Sequence, residues 1–501
     1  RISTAQMAMT NPTAATVRSV ASGNIPLNVF LAEWNSQSII QSMPLAGGSN
    51  TLTVMFQPNV DMVGGSKVSV VGLTGSQTSS TSSLSVTNQS PSGIFGTVGA
   101  WTKGSGRMVL TVDSAGLTKD TDYVFSFTVQ NSATALSALS PTLRATIEAG
   151  STDAPIAATA LSTTDSAVHE VASGSLPFLV VVPALTAHAV GQSYPAVGAD
   201  TVITATLRAN AVLLAGSVVS ISGLTGSQTA DGSVAMSSSG SFTASPAWTQ
   251  SSGTLVFSSL SDLAVGDHVV SFTLKNSATA QASPSVSLSG AVECGADDAP
   301  IPEVAATKPG STIFGHPGGG DPLYAMVPTF DIKSLAQSSP LAYGQSNITV
   351  TLQGNIDLAQ SDGSAITLSG FTSLTTPSAT VELFNSTSRG TFSDGAAAGY
   401  AHWGVEALYL TIASGETMLA YQPYSFWFTV VNPANIQAAP TVSAEANGTA
   451  TYLSQATTST NDALLGTAGW AVPGKIVCGA GRYAPAEGGS TAVCTLCYRG
   501  S

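Results

Sequence analysis

Charge is scarce in this chain. Of 501 residues, 15 are Lys or Arg and 28 are Asp or Glu, so charged residues make up 9% where about a quarter is usual. The net charge is −13 and no Lys/Arg run occurs, which excludes a basic face for nucleic acid. Long apolar runs are missing too. The longest, LPFLVVVPAL at 176–185, is too short to span a bilayer and contains prolines. Cysteine is rare: Cys294 lies in mid-chain and Cys478, Cys494 and Cys497 crowd the C-terminus. The histidines are scattered singly, so no Cys/His set has metal-ligand spacing.

Catalytic signatures are equally absent. No G-x-S-x-G elbow opens a helix, His169-Glu170 is not part of an H-E-x-x-H, and His316 sits in GHPGGGDP without a strand-to-helix turn. The sequence therefore predicts a non-enzyme, with no catalytic, cofactor-binding or metal residues. Asp113, Asp120 and Asp122 surround one turn and Asp297 and Asp298 share a connector, so calcium ligation and solvated loop acids both stay open.

What is present is repetition. YVFSFTVQNSATALSALSP at 123–141 recurs as HVVSFTLKNSATAQASP at 268–284 and YSFWFTVVNPANIQAAP at 424–440. The asparagines Asn131, Asn276 and Asn432 stand 145 and 156 residues apart. Each copy carries further period-two runs, such as TLTVMF at 51–56, TVITATL at 201–207 and NITVTL at 347–352, the pattern of a half-buried strand. GLTGSQT follows a strand at 72–78 and again at 223–229, while the third copy keeps only AITLSGFTS at 365–373. No stretch of the repeats has helical periodicity. The expected fold is all-β: three tandem immunoglobulin-like antiparallel sandwiches of seven to nine strands, followed by a small cysteine-rich tail.

The boundaries follow from the repeats. Residues 1–20 form an extended N-terminal segment, 21–150, 151–295 and 296–457 the sandwiches, and 458–501 the tail. Expected core residues are Trp101, Trp248 and Trp403 with Tyr123, Phe125, Phe127, Phe272, Phe426 and Phe428. Stacking of sugars on the tryptophans is the rival reading. Connectors recur as well: SGNIPLNVF from Ser22, SGSLPFLVV from Ser173 and GGGDPLYAM from Gly318 read as Pro-marked edge strands or semi-rigid linkers.

A Leu, a polar stretch and a Tyr opening the next strand, as in LTKDTDY at 117–123, resembles the tyrosine corner of immunoglobulin-like and fibronectin-like sandwiches. That resemblance implies a backbone bond from Tyr123 and Tyr424, with His268 in the same structural role. The tail's C-G-A-G-R-Y and C-T-L-C, from Cys478 and Cys494, resembles the cysteine-rich repeats of ephrin-receptor-like and tumour-necrosis-factor-receptor-like ectodomains. Disulfide use is the implied reading, with a zinc ribbon as the rival. A bridge from Cys294 to Cys478 is expected to fold the tail against the junction of the second and third sandwiches.

N-glycosylation sequons at Asn88, Asn347, Asn385 and Asn447, together with a first residue that is not Met, point to secretion and N-linked glycans, most firmly at Asn347 and Asn385. The whole plan resembles surface proteins of algae and other protists, and protomers of extracellular glycoprotein fibrils. It implies a structural subunit at the cell surface with copies of itself as partner in a helical homopolymer. An adhesin that grips glycans is the alternative, a surface hydrolase the third. Matching TNPTAATV at 10–17 to TDAPIAAT at 152–159 makes residues 1–9 the closing strand of a further domain. Donor-strand exchange through Ile2, Thr4, Gln6, Ala8, Thr10, Ala14 and Thr16 is the expected assembly mode.

Overall fold

The computed structural model describes residues 9–376, 378–385 and 388–448, and strand residues 452–456, 482–483 and 495–496. Three sandwiches follow one another. In the first, a four-stranded sheet in the order Trp34–Gln41, Ser49–Pro58, Tyr123–Gln130, Thr87–Ser90 shares its core with a six-stranded sheet. That sheet runs Ala154–Ala160, Thr142–Ile147, Lys67–Val71, Arg107–Thr111, Val98–Thr102, Thr81–Ser85. The second repeats the plan with Leu185–Gln192, Asp200–Ala209, His268–Lys275 and Met236–Ser238 against a six-stranded sheet whose far edge is Ala299–Ala305. The third sets Phe330–Gln337, Gln345–Gly354 and Tyr424–Val431 against a sheet ending in Ser443–Asn447 and Tyr452–Ala456.

Period-two sequence sets the faces. Leu52, Val54 and Phe56 point inward from one strand and meet Phe127, Phe125 and Tyr123 across an antiparallel register. The organising strands bury Phe125, Phe127, Phe272, Phe426 and Phe428 as expected. The corners form: the Tyr123 hydroxyl accepts the Thr118 N–H at 2.6 Å and Tyr424 accepts that of Leu419 at 2.9 Å. His268 Nε2 lies 3.0 Å from the Ala264 carbonyl, so in the second copy the ring is tied to an upstream carbonyl where the tyrosines accept an N–H.

Three expectations change. Trp101 and Trp248 are buried, their indoles donating to Thr78 and Thr229, but Trp403 is half-buried against Phe371 and Phe428. Thr78 and Thr229 end the GLTGSQT motif, which the third copy has lost, and among the described residues no such carbonyl accepts from Trp403. The boundaries at 150 and 295 also move. The connector strands Ala154–Ala160 and Ala299–Ala305 pair with the closing strands of the sandwich before them, because those edges offer unpaired backbone groups. This added edge strand raises the first two sandwiches above nine strands.

Candidate functional site

The connectors are more than linkers. Each makes two successive turns. The first turn is closed by Val17 and Val20, by Val168 and Val171, and by Ile313 and His316. It docks on the sandwich that follows. Arg18 accepts the Asp61 N–H and donates to the Glu148 carbonyl at 2.8 Å, while Ser19 donates to Asp61 at 2.7 Å. His169 accepts the Val212 N–H, and Glu170 accepts that of Val265. Phe314 accepts the Asp357 N–H. His169-Glu170 is thus a turn element.

The second turn enters the sandwich that precedes it. After Pro177, Phe178 takes φ 57° and is 0% exposed in the core of the first sandwich; after Pro322, Leu323 takes φ 50° and is 0% exposed in that of the second. A left-handed backbone costs a bulky residue about 1–2 kcal/mol, which full burial of the side chain, worth about 1.5–3 kcal/mol, offsets. The next residues along the chain wedge between two loops. Val180 exchanges both backbone bonds with Leu136, and Val181 donates to Pro44 and accepts from Ala46. In the second sandwich Ala325 does the same with Gln281, and Met326 with Pro195 and Val197. We call residues 173–182 and 318–327 clasps.

The groove is shaped by residues that recur. Gln41 Nε2 donates to the Gly174 and Leu179 carbonyls, each at 2.9 Å; Gln192 Nε2 donates to those of Gly319 and Tyr324. Asn131 Nδ2 bonds the Met43 and Leu45 carbonyls, Asn276 those of Tyr194 and Ala196, and Asn432 those of Ser339 and Leu341. The asparagine found by its spacing therefore pins the groove-forming turn in all three sandwiches. Junctions are tight besides: Met43 and Leu45 join the core of the second sandwich, and Tyr194 meets Phe314 at 5.2 Å between ring centroids.

The N-terminal copy has the same shape, and among the described residues no groove surrounds it. Leu27 has φ 66°, and Ala15 N–H bonds Asn24 Oδ1 as Ser166 N–H bonds Ser175 Oγ. Yet Leu27 is 99% exposed, and Val29, Phe30 and Leu31 are exposed with it. These equivalences fix the offset at 151 residues, since Val17 and Val20 match Val168 and Val171. The offset of 142 is corrected accordingly: residues 10–17 match 161–168, and residues 1–9 match 152–160 instead of the closing strand. Ile2, Thr4, Gln6 and Ala8 lie outside the described residues; Thr10, Ala14 and Thr16 are exposed and outside any strand. The apolar residues that interior copies bury lie at 27–31, beyond the expected donor. A signal was present in the sequence, an apolar residue after the proline of every connector.

The other expected sites fall elsewhere. Cys294 is a free thiol, 3.6 Å from Met43 Sδ, at the junction of the first and second sandwiches and not of the second and third. Its docking turn also binds Ser49 through Asp297. Cys478, Cys494 and Cys497 lie outside the described residues. Asn447 is exposed, and Asn347 is half-buried with its Oδ1 accepting from Thr429. Asn385 donates its Nδ2 to the Ser425 carbonyl, and Asn88 lies in strand Thr87–Ser90. Asp120 binds Asn35, Asp122 binds Gln57 and Asp298 binds the Cys294 N–H. Among the described residues no three His, Cys, Asp or Glu groups gather around a metal position, and no helix is long and apolar enough to cross a membrane.

Neither a protein-family model nor a curated protein matches this chain. Solved structures do show a distant likeness. The C-terminal domain of the antigen I/II-family protein AspA of Streptococcus pyogenes is 7% identical, covering 56% of this chain and 99% of its own, with a TM-score of 0.27. The collagen adhesin of S. aureus is 10% identical over 55% of this chain and 92% of its own, at a TM-score of 0.17. A membrane-anchored protein of Corynebacterium diphtheriae is 11% identical over 85% of this chain and 88% of its own, at 0.18. Scores this low carry no argument, so the function has to be read from the sandwiches and their clasps.

Proposed function

We propose that the protein is a structural subunit of an extracellular filament or surface coat, in which sandwiches are strung end to end by clasps. The observation that carries this reading is Leu27. It holds the clasp conformation of Phe178 and Leu323, and the first turn of its connector is docked on Asp61 and Glu148, but it is exposed. A frayed terminus would not be held in that shape. A pre-formed apolar clasp has little entropy still to lose on insertion, which favours binding. Its partner in this reading is a groove in another copy of the protein. Such a contact is head-to-tail, so the product is a helical homopolymer unless the rotation closes a ring. The weakly charged surface leaves little repulsion between copies.

The test compares the full chain with its Leu27→Asp variant by sedimentation and negative-stain microscopy over a concentration series. Assembly of the parent and not the variant supports the reading; equal assembly of both, or a parent that stays monomeric throughout, refutes it.

A second reading is a glycan-binding adhesin. Trp101 and Trp248 are too buried to stack a sugar, but Phe384 and Trp427 form a half-exposed stack with centroids 4.2 Å apart. Trp427 replaces the serines Ser126 and Ser271 of the other copies. A glycan array with the Trp427→Ala variant separates this reading from the first.

A further inference from the structure

In the first sandwich one buried side chain ties the clasp to the groove-forming turn. Asn50 is the second residue of strand Ser49–Pro58. Its Nδ2 donates to Gln41 Oε1, on the residue that holds the clasp, and to Asn131 Oδ1, on the residue that pins the turn, both at 2.9 Å. Its Oδ1 accepts the Met43 N–H at 3.2 Å. A carboxamide nitrogen carries two N–H donors, and here both are spent between those two oxygens.

The second sandwich has Thr201 in that place. Thr201 pairs with Leu274 as Asn50 pairs with Val129, and Gln192 pairs with Ile203 as Gln41 pairs with Leu52. The Thr201 hydroxyl oxygen accepts the Tyr194 N–H at 3.1 Å, so it does for Tyr194 what Asn50 Oδ1 does for Met43. Threonine has no counterpart of the Asn50 NH2 group, and its side chain ends one bond nearer the backbone. Gln192 Oε1 and Asn276 Oδ1 are buried and have no hydrogen-bond partner among the described residues. Neither amide can turn round to find one. Gln192 Nε2 is held by the Gly319 and Tyr324 carbonyls and Asn276 Nδ2 by those of Tyr194 and Ala196, so a flip would set oxygen against oxygen. These are the anchors that Gln41 and Asn131 use in the first sandwich, and they aim both free oxygens at the point where the Asn50 nitrogen stands there.

We propose that the second sandwich binds a single buried water at this point, bridging Gln192 Oε1 and Asn276 Oδ1 in place of the asparagine amide. Water has two O–H donors, the number these two acceptors need, and buried waters typically serve polar groups that have no other partner. A metal ion does not suit the site. Two amide oxygens fall short of the six or so oxygen ligands that a hard cation takes, and among the described residues no three His, Cys, Asp or Glu groups gather around a metal position. The two joints of the row therefore differ. The first clasp is tied to its turn by a side chain, and the second by a molecule that can leave. This site is independent of how copies of the protein assemble.

The experiment compares the full chain with its Thr201→Asn variant, by crystallography at a resolution that shows ordered waters and by amide hydrogen exchange. The parent is expected to show one water within hydrogen-bond distance of both oxygens, and the variant to show the new side-chain nitrogen there instead. The clasp amides of Gln281 and Ala325 report the second joint, and those of Leu136 and Val180 are internal controls that stay unchanged. Releasing one held water slows exchange at Gln281 and Ala325 by at most about thirtyfold. Two bare buried acceptors that gain their first donor would slow it by more than about thirtyfold. That larger effect, an empty site or a metal ion in the parent, or a water that persists beside the new side chain overturns the proposal. Faster exchange in the variant overturns it too, since position 201 would then not match that of Asn50.

Discussion

Gln41 and Phe178 lie in different structural units of the sequence and are locked together in space. The Phe178 N–H donates to Gln41 Oε1 at 2.8 Å, and Gln41 Nε2 returns a bond to the Leu179 carbonyl at 2.9 Å. A residue ending the first strand of one sandwich thus holds the segment that leads into the next.

The first prediction concerns the clasp residues. Phe178→Ala is expected to cost about 3–5 kcal/mol and Leu323→Ala about 2–5, since each empties a core site. Leu27→Ala in the monomer should stay within about 0.5 kcal/mol, as exposed sites do. Denaturant unfolding of the three variants checks this; similar losses for all three would contradict the groove assignment.

The second concerns His316 at the junction of the second and third sandwiches. Its ring is hydrogen-bonded to the hydroxyls of Tyr421 and Tyr324, the latter at 2.6 Å. Burial pulls its pKa below the ordinary 6.5, outweighing a backbone bond at Asn355 that acts the other way. The unfolded chain therefore binds the proton more readily, and stability falls as pH drops through 6.5 towards the folded value. Hydrogen exchange around Tyr324 should quicken between neutral and mildly acidic pH, and His316→Gln should flatten that response.

The third concerns Cys294. Burial first, and then the carboxylates of Asp298 and Glu293, push its thiol up to about 11 against a lowering bond at Ala299. Alkylation at neutral pH should be far slower than for an exposed thiol, because the thiolate is the reactive form. Peptide mapping under non-reducing conditions should find Cys294 unpaired; a link to Cys478 would reverse this.

The fourth concerns glycans. Asn447 is exposed and should be the most fully occupied sequon of the third sandwich. Asn385 should be the least, since its Nδ2, the atom a glycan would occupy, donates to Ser425. Glycopeptide mass spectrometry of secreted material gives the ranking directly.

Three things could be read from the residues in order. Alternation predicted the strands, the recurring NSATA-type turn predicted three copies, and the residues Tyr123, His268 and Tyr424 predicted the corners. Those features are local, and period-two burial or a five-residue backbone bond leaves its mark on neighbouring letters. Trp403 departs from expectation because the carbonyl that covers Trp101 and Trp248 belongs to a motif distant in sequence that the third copy lacks. The clasp was missed as a clasp for the same kind of reason. SGSLPFLVV reads as an apolar linker, and only the fold shows that Phe178 reaches back past its own domain to Gln41, 137 residues earlier. Alternation and the repeat determined that the protein would be a row of β-sandwiches, and composition that its surface would carry little charge. Tertiary structure decided where each sandwich ends, because an edge strand takes its hydrogen bonds from whichever segment is near in space, whatever its place in the chain.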